Sequence, residues 1–367
     1  MQDLELFRRM LAVDSTSGHE AEFTALLKDL LEAPELRTFP DGNGGENLLF
    51  CWGEPRLVFC THQDTVPPYI PPAVPERVTV YNGVEQRIVV PGYDVIKVPG
   101  DNPGNVIYGR GTCDAKGQIL AMYNACRQLH ANGRSGFGLL LLTGEEVGSV
   151  GAKAFSKTGF EAEYLVIGEP TENKMVSASK GTKAFELTFR GEAFHSGYPQ
   201  FGRSAVSAFV DFVEWLRGVD FPSDRKLGST TWNIGKLISD NPQSILSPEL
   251  TCRLYFRTTF ASDDFVSSIL DSCPAGPSSR HCRPDRQSLT IEALGGDSPS
   301  KYMTLDGFPT TAVAFGSDAP HLTGFKHKMI MGPGSIRYAH RPDEQIDLHD
   351  IDIALYSYMC LADRLLR

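Results

Sequence analysis

The sequence predicts an α/β protein built on a mostly parallel central sheet, with a smaller α+β domain inserted into it. Three observations carry this. Short apolar runs recur along the chain (NLLFCW at 47–52, RLVFCTH at 56–62, FGLLLLT at 137–143, YLVIGEP at 164–170). They are continuous rather than alternating, the pattern of strands buried on both faces. A helical segment, AKGQILAMYNACRQLHA at 115–131, lies between two of them, giving strand, helix, strand. From about Val176 the pattern changes to β-α-β-β-α-β.

In chain order, helices are expected from about Asp3 to Val13 and from about Glu20 to Leu31, where apolar residues recur at spacings of three and four. The segment from Val66 to Gly104, rich in Pro, Gly and β-branched residues, reads as an embellished hairpin turning at YNG. It is either an ornament or a wall of the substrate cleft. The helix at 115–131 runs out into a turn at Asn132–Gly133. The middle of the chain supplies a strand at KAFELTFRG, a helix at RSAVSAFVDFVEWLRGV, strands at STTWNIGKLIS and ELTCRLYFRTTF, a helix at DDFVSSILDSC and a strand at QSLTIEAL. The runs TTAVAF at 310–315 and KMIMGPG at 328–334 then return to complete the first sheet. The expected domains are 1–177 with 297–367, and 178–296.

A chain of 367 residues, 41% of them hydrophobic, is long enough for two cores. Its formal net charge of −10 comes with no basic stripe of the kind that neutralises phosphate backbones, so a nucleic-acid partner is not expected. No apolar stretch approaches a membrane span, and the amphipathic start lacks a signal-peptide core. The eight cysteines (Cys51, Cys60, Cys113, Cys126, Cys252, Cys273, Cys282, Cys360) form no CxxC pair and several sit in apolar runs. They read as reduced core residues of a soluble cytoplasmic protein.

Five clusters place acids or histidine at the ends of strands, the edge where open α/β sheets bind ligands. In FCTHQDTVPP, strand alternation puts His62 and Asp64 on one side, suiting a ligating imidazole backed by a carboxylate. Asp114 in GRGTCDAKG precedes a helix, where it either caps the helix or binds a metal. Glu145 and Glu146 in TGEEVGS are adjacent carboxylates at a strand end, whose repulsion calls for a nearby cation. Glu169 ends YLVIGE, and His340 lies in the loop YAHRPDE. Each has a plain reading as a loop residue; together, two histidines and three carboxylates make a coherent ligand set for a pair of divalent ions.

In order and wording these motifs resemble the acetylornithine deacetylase, succinyl-diaminopimelate desuccinylase and carboxypeptidase G family of co-catalytic zinc hydrolases, from about His62 to Glu344. The resemblance implies a zinc-exopeptidase-like catalytic domain and a ferredoxin-like lid or dimerisation domain. It implies two Zn2+ ions, with Co2+ or Mn2+ as substitutes: one on His62, Asp114 and Glu169, the other on Asp114, Glu146 and His340. Asp114 would bridge, its following peptide bond would be cis, Asp64 would support His62, and Glu145 would be the general base. His195, in GEAFHSGYP, would contact the transition state, in many relatives across a dimer. Arg257 in YFRTTF, with Gly316 and Ser317 of GSDAP, would bind substrate. HSGYP, Gln243-Ser244 and the length of the 66–104 excursion depart from the family pattern, and all bear on substrate contacts rather than on the ligands.

The implied activity is release of an acyl group from an N-acyl amino acid. A di- or tripeptidase or carboxypeptidase of the same architecture is the alternative, since the metal motifs are shared. A non-catalytic relative should have lost Glu145 or a ligand, and all are present. Of the remaining histidines only His321, beside GSDAP, is a candidate substrate contact.

Overall fold

The structure, a computed structural model, describes residues 2–73, 85–88, 96–99, 105–271 and 288–367. The chain forms two compact units: one of residues 1–177, 302–311 and 317–367, the other of residues 178–301 and 312–316. The second unit takes in 312–316, where the Lys180 N–H donates to the Val313 carbonyl.

The first unit is organised by a six-stranded sheet in the order Glu35–Pro40, Glu46–Trp52, Phe137–Leu142, Leu57–His62, Ala162–Ile167, Phe325–Ile330. The first two junctions are antiparallel and the remaining three parallel. Leu57–His62 and Phe137–Leu142 are buried at every position, as their unbroken apolar runs require. The helix Lys116–Ala131 is buried from Lys116 through Cys126 and again at Leu129. Helices Gln2–Leu11 and Leu348–Leu365 pack on it. Phe7, Met10, Phe23, Leu120, Met122, Tyr358 and Leu361 belong to this core, where each fully buried large apolar side chain is worth roughly 1.5–3 kcal/mol.

Several elements differ from expectation, and helices Val150–Ser156 and Leu348–Leu365 were not foreseen. The edge strand Glu35–Pro40 was not foreseen; its charged and polar residues and terminal proline are features of a protected sheet edge. Thr310–Val313 forms a strand but joins a separate three-stranded sheet with Met175–Ser179 and Ser300–Lys301, so only Phe325–Ile330 completes the central sheet. In the 66–104 excursion, strands Glu85–Ile88 and Ile96–Pro99 pair antiparallel. The YNG tripeptide at 81–83 precedes both strands and lies outside the described residues, as does most of the excursion, so YNG is not the turn between them.

The second unit has a four-stranded antiparallel sheet in the order Thr231–Ile238, Glu249–Thr258, Gly181–Arg190, Leu289–Gly295. Alternate residues Phe185, Leu187 and Phe189 of one central strand and Cys252, Leu254 and Phe256 of the other form its core with Phe212 and Leu216 of helix Ala205–Arg217 and Val266 of helix Asp263–Asp271. Ser204 caps the first helix, its Oγ accepting the Ser207 N–H at 3.2 Å.

Among the described residues no helix is long and apolar enough to cross a membrane. Cys51, Cys60, Cys113, Cys126 and Cys252 are free and buried and Cys360 is exposed, while Cys273 and Cys282 lie outside the described residues.

Candidate metal centre

Parallel pairing aligns the carboxyl ends of three strands, with His62 opposite Leu142 and Cys60 opposite Ile167. The segments that follow therefore deliver His62, Glu145, Glu146 and Glu169 to one edge of the first unit. His62 is buried, its Nδ1 lying 2.9 Å from the carbonyl oxygen of Asp64 and its Nε2 3.1 Å from Asp114 Oδ1. The carbonyl can only accept, so Nδ1 carries a proton and Nε2 faces the carboxylate.

Asp64 is fully buried and does more than stand behind His62, from whose Nδ1 its Oδ1 is 3.4 Å away. Its Oδ1 accepts the Glu145 N–H at 3.0 Å, and its Oδ2 accepts the Glu146 N–H at 3.2 Å and the Ser17 hydroxyl at 2.8 Å. One carboxylate thus holds the backbone of the Glu145–Glu146 turn.

Asp114 ends a glycine-rich loop, and the Asp114–Ala115 peptide bond is cis. Ala115 occupies the N-cap position with no side-chain cap bond, so Asp114 is not spent on capping. At Gly117 a Cβ would stand 2.4 Å from the Thr112 carbonyl oxygen, so the loop folds back on the helix start only with glycine there. Asp114 reaches both histidines: Oδ1 meets His62 as above, and Oδ2 is 3.4 Å from His340 Nε2. His340 Nε2 also lies 2.9 Å from Glu146 Oε1. Ligating atoms of His62, Asp114 and Glu146 all lie within 4.8 Å of one another.

Charge is concentrated here. Burial pushes the carboxyls of Glu145 and Glu169 well above the ordinary range, and neighbouring carboxylates add to the effect. Glu146 is raised by burial against the pull of its bond to His340. Burial would raise Asp114 too, but His340 and His62 hold it well below the ordinary range. Burial would lower His62, but Asp114 and Asp64 drive it well above the usual imidazole value. Hydrogen bonds to Asp114 and Glu146 push His340 up to about 10. Among the described residues no Lys or Arg pairs with Asp114, Glu145, Glu146 or Glu169. The imidazolium protons on the two Nε2 atoms are thus the positive charge the carboxylates can find. Divalent cations set between the same nitrogens and oxygens would satisfy them better, and a mixed N/O donor set suits zinc, cobalt or manganese.

Glu169 is buried two residues beyond strand Ala162–Ile167, close enough for Asp114, Glu145 and His62 to act on its charge. Ser317 is buried in the first unit, its Oγ accepting the Ala319 N–H at 3.3 Å. His195, Arg257 and Gly316 belong to the second unit. His195 is exposed and its Nδ1 accepts the Gly197 N–H at 3.1 Å. Arg257 lies over the Tyr255 ring at 5.2 Å, near Gly316. His321 is near enough to Asp318 to draw its carboxyl down.

Sequence reasoning missed four participants. Ser17 holds Asp64. Asp318, in the same GSDAP loop as Gly316 and Ser317, is buried with an Oδ1 lacking any hydrogen-bond partner, and burial pushes its carboxyl up to about 6. Arg110 and Glu344 form a buried pair at 2.6 Å. Both stand inside the motifs GRGTCD and RPDE, and their burial was the signal those motifs could not carry.

Residues 89–364 match peptidase family M20/M25/M40. A peptidase M20 domain-containing protein of Schizosaccharomyces pombe is 29% identical over 97% of this chain and 82% of its own length. A probable carboxypeptidase of Aspergillus clavatus is 30% identical over 97% of this chain and 80% of its own. A tripeptidase from Staphylococcus aureus shares the fold at a TM-score of 0.73 and 17% identity, covering 100% of this chain and 98% of that one. An M20 family metallo-carboxypeptidase from Sulfolobus solfataricus does so at 0.66 and 16%, covering 98% of each.

Proposed function

Because this chain belongs to peptidase family M20/M25/M40, we propose that it is a two-metal hydrolase that cleaves the amide bond of a small amino-acid-derived substrate. His62, Asp114 and Glu169 would hold one divalent ion and Asp114, Glu146 and His340 the other, with Asp114 shared. Zinc is the first choice, with cobalt or manganese able to replace it. Bound there, the ions supply Lewis acidity that polarises a carbonyl and acidifies water.

The protein's own groups do the rest. Asp64 and Ser17 fix the Glu145–Glu146 turn, so that the two adjacent carboxylates take separate roles. Glu146 turns to His340, while Glu145 makes no side-chain bond among the described residues and is left as general base. Its raised proton affinity suits a group that takes a proton from water and returns it to the leaving amine. His195 would stabilise the tetrahedral oxyanion, and Arg257, Gly316 and Ser317 would orient the substrate. A homodimer formed through residues 178–296 would present His195 to the partner's site.

The observation that carries this reading is the chain of contacts His62–Asp114–His340–Glu146, which joins four residues from four separate segments. Two substrate classes fit. Peptide-bond cleavage draws support from relatives described as probable carboxypeptidases. Deacylation of N-acyl amino acids draws it from the acetylornithine deacetylase-like wording of the motifs. Incubating zinc-loaded protein with di- and tripeptides and with N-acetyl amino acids, and identifying products by mass spectrometry, separates them. Free amino acids from peptides assign a peptidase, acetate from acetylornithine or acetylcitrulline assigns a deacylase, and no amide cleavage in either panel overturns the reading.

A further inference from the structure

The buried pair Arg110–Glu344 stands behind the proposed centre and touches the backbone of its ligand-bearing segments. Glu344 Oε2 receives Arg110 Nη1 at 2.6 Å, and Oε1 accepts the N–H groups of both Cys113 and Asp114 at 3.2 Å. Arg110 continues outward: Nε donates to the Pro68 carbonyl at 3.2 Å and Nη1 to the Arg341 carbonyl at 3.3 Å. Pro68 lies four residues beyond Asp64, and Arg341 directly follows His340. The main chains are zipped alongside: Val106–Tyr108 pairs with Gln345–Asp347, and the Gly109 N–H extends the ladder to the Glu344 carbonyl at 3.0 Å.

We infer that Arg110 and Glu344 are positioning residues that set the spacing of the proposed metal centre, locking the Asp114 loop to the His340 loop and to the chain leaving Asp64. The inference rests on the two-metal reading of the cluster. A buried ion pair costs much of its attraction in lost hydration, so stability alone is a weak reason for it. Geometry is a better one. A shared carboxylate can serve two ions only if its backbone is held in register with ligands supplied from elsewhere, and here one carboxylate receives the N–H of Asp114 itself. Neither residue offers an atom to a metal; both act through the groups they hold.

Zinc competition titrations against a chelator, on the full-length protein, test this alongside melting of the metal-free protein. Glu344→Gln keeps the volume but turns an amide NH2 towards either the Arg110 guanidinium or the Cys113 and Asp114 N–H groups. Zinc binding is expected to weaken about 10–100-fold, the usual effect of disturbing groups that orient metal ligands. Arg110→Met/Glu344→Leu removes both buried charges together. It is expected to melt above Glu344→Gln, since paired removal spares an unmatched charge, while its zinc binding stays weakened. A purely structural pair predicts the opposite, zinc affinity recovering along with stability. Affinity within about threefold of the parent in either folded variant overturns the inference. Should Glu344→Gln fail to fold, Arg110→Lys takes its place: it keeps the charge but not the reach to both carbonyls, and the same threefold criterion applies. If the parent protein itself holds no zinc, the metal-centre reading fails rather than the positioning role.

Discussion

Replacing Asp64 by Asn tests how the proposed centre is held. Three hydrogen bonds end on this carboxylate, from the N–H groups of Glu145 and Glu146 and from the Ser17 hydroxyl. An amide has one acceptor oxygen. If its NH2 takes the place of Oδ1, the Glu145 N–H loses its acceptor; if it takes the place of Oδ2, the Glu146 N–H loses its acceptor while the Ser17 hydroxyl can rotate to accept. Either way one half-buried backbone N–H facing the buried carboxylate is orphaned and a bond to a charged acceptor becomes a neutral one. Orphaning costs about 1–3 kcal/mol and the lost charge adds to it, so a loss of about 2–4 kcal/mol is expected. Urea denaturation of the metal-free protein at neutral pH reads this directly. The pH dependence supplies a second check. Burial would raise the Asp64 carboxyl, but His62, Ser17 and the Glu145 N–H hold it below the ordinary range. Its contribution is therefore present above the unfolded carboxyl's pKa of about 3.9 and lost as pH falls through the folded value. The variant should lack that part of the acid-side loss. A variant within about 0.5 kcal/mol of the parent would refute the claim that Asp64 holds the turn.

Glu145→Gln is expected to lower turnover by about 10²–10⁴ with zinc content unchanged, whereas Asp114→Ala loses both, as metal analysis beside product assays would show; equal zinc loss in the two variants means the adjacent glutamates have been assigned in reverse. Metal-free protein should melt at a higher temperature near pH 5.5 than near pH 8, and zinc should reverse the order. Glu145, Glu169, Asp318 and Glu344 have raised carboxyls and His62 and His340 raised imidazoles. All contribute stability that is present below the unfolded pKa and lost as pH rises through the folded one, and zinc competes with those same protons. A metal-free protein more stable at pH 8 contradicts the cluster's electrostatics. Mixing inactive Glu145→Gln with inactive His195→Ala should restore activity on subunit exchange if His195 serves the partner's site; heterodimers without activity, or a monomer in sedimentation, exclude it.

The strand ends were legible because burial on both faces leaves an unbroken apolar run, and the histidine and acids that close or follow such runs, His62, Glu145 and Glu169, are conspicuous against it. Periodicity located the helices Gln2–Leu11, Ala21–Leu30, Lys116–Ala131, Ala205–Arg217 and Asp263–Asp271, but Val150–Ser156 and Leu348–Leu365 were not foreseen. The edge strand Glu35–Pro40 escaped because a protected edge is written in the same residues as a loop. Thr310–Val313 was assigned to the wrong sheet because a strand's own residues do not name its partner. The supporting contacts were hidden for a related reason. Ser17 to Asp64 and Arg110 to Glu344 join positions far apart in the chain, and a polar residue in a motif looks the same whether it is solvated or buried. Asp318 stood one residue beyond the two loop residues singled out, and only its burial sets it apart.

The central sheet is finished late. Strand Phe325–Ile330 lies beside Ala162–Ile167, yet the whole of the second unit is synthesised between them. Until Phe325–Ile330 emerges from the ribosome, Ala162–Ile167 is an open parallel edge carrying Leu165, Val166 and Ile167, side chains that are buried in the finished protein. Such an edge is a template for strands of other chains. The same delay separates His340 from the proposed ligands made long before it, so a nascent chain can gather His62, Asp114 and Glu146 but cannot complete the proposed centre. Vulnerability to aggregation and incapacity for the proposed metals should therefore end together, when the segment from Phe325 onwards docks.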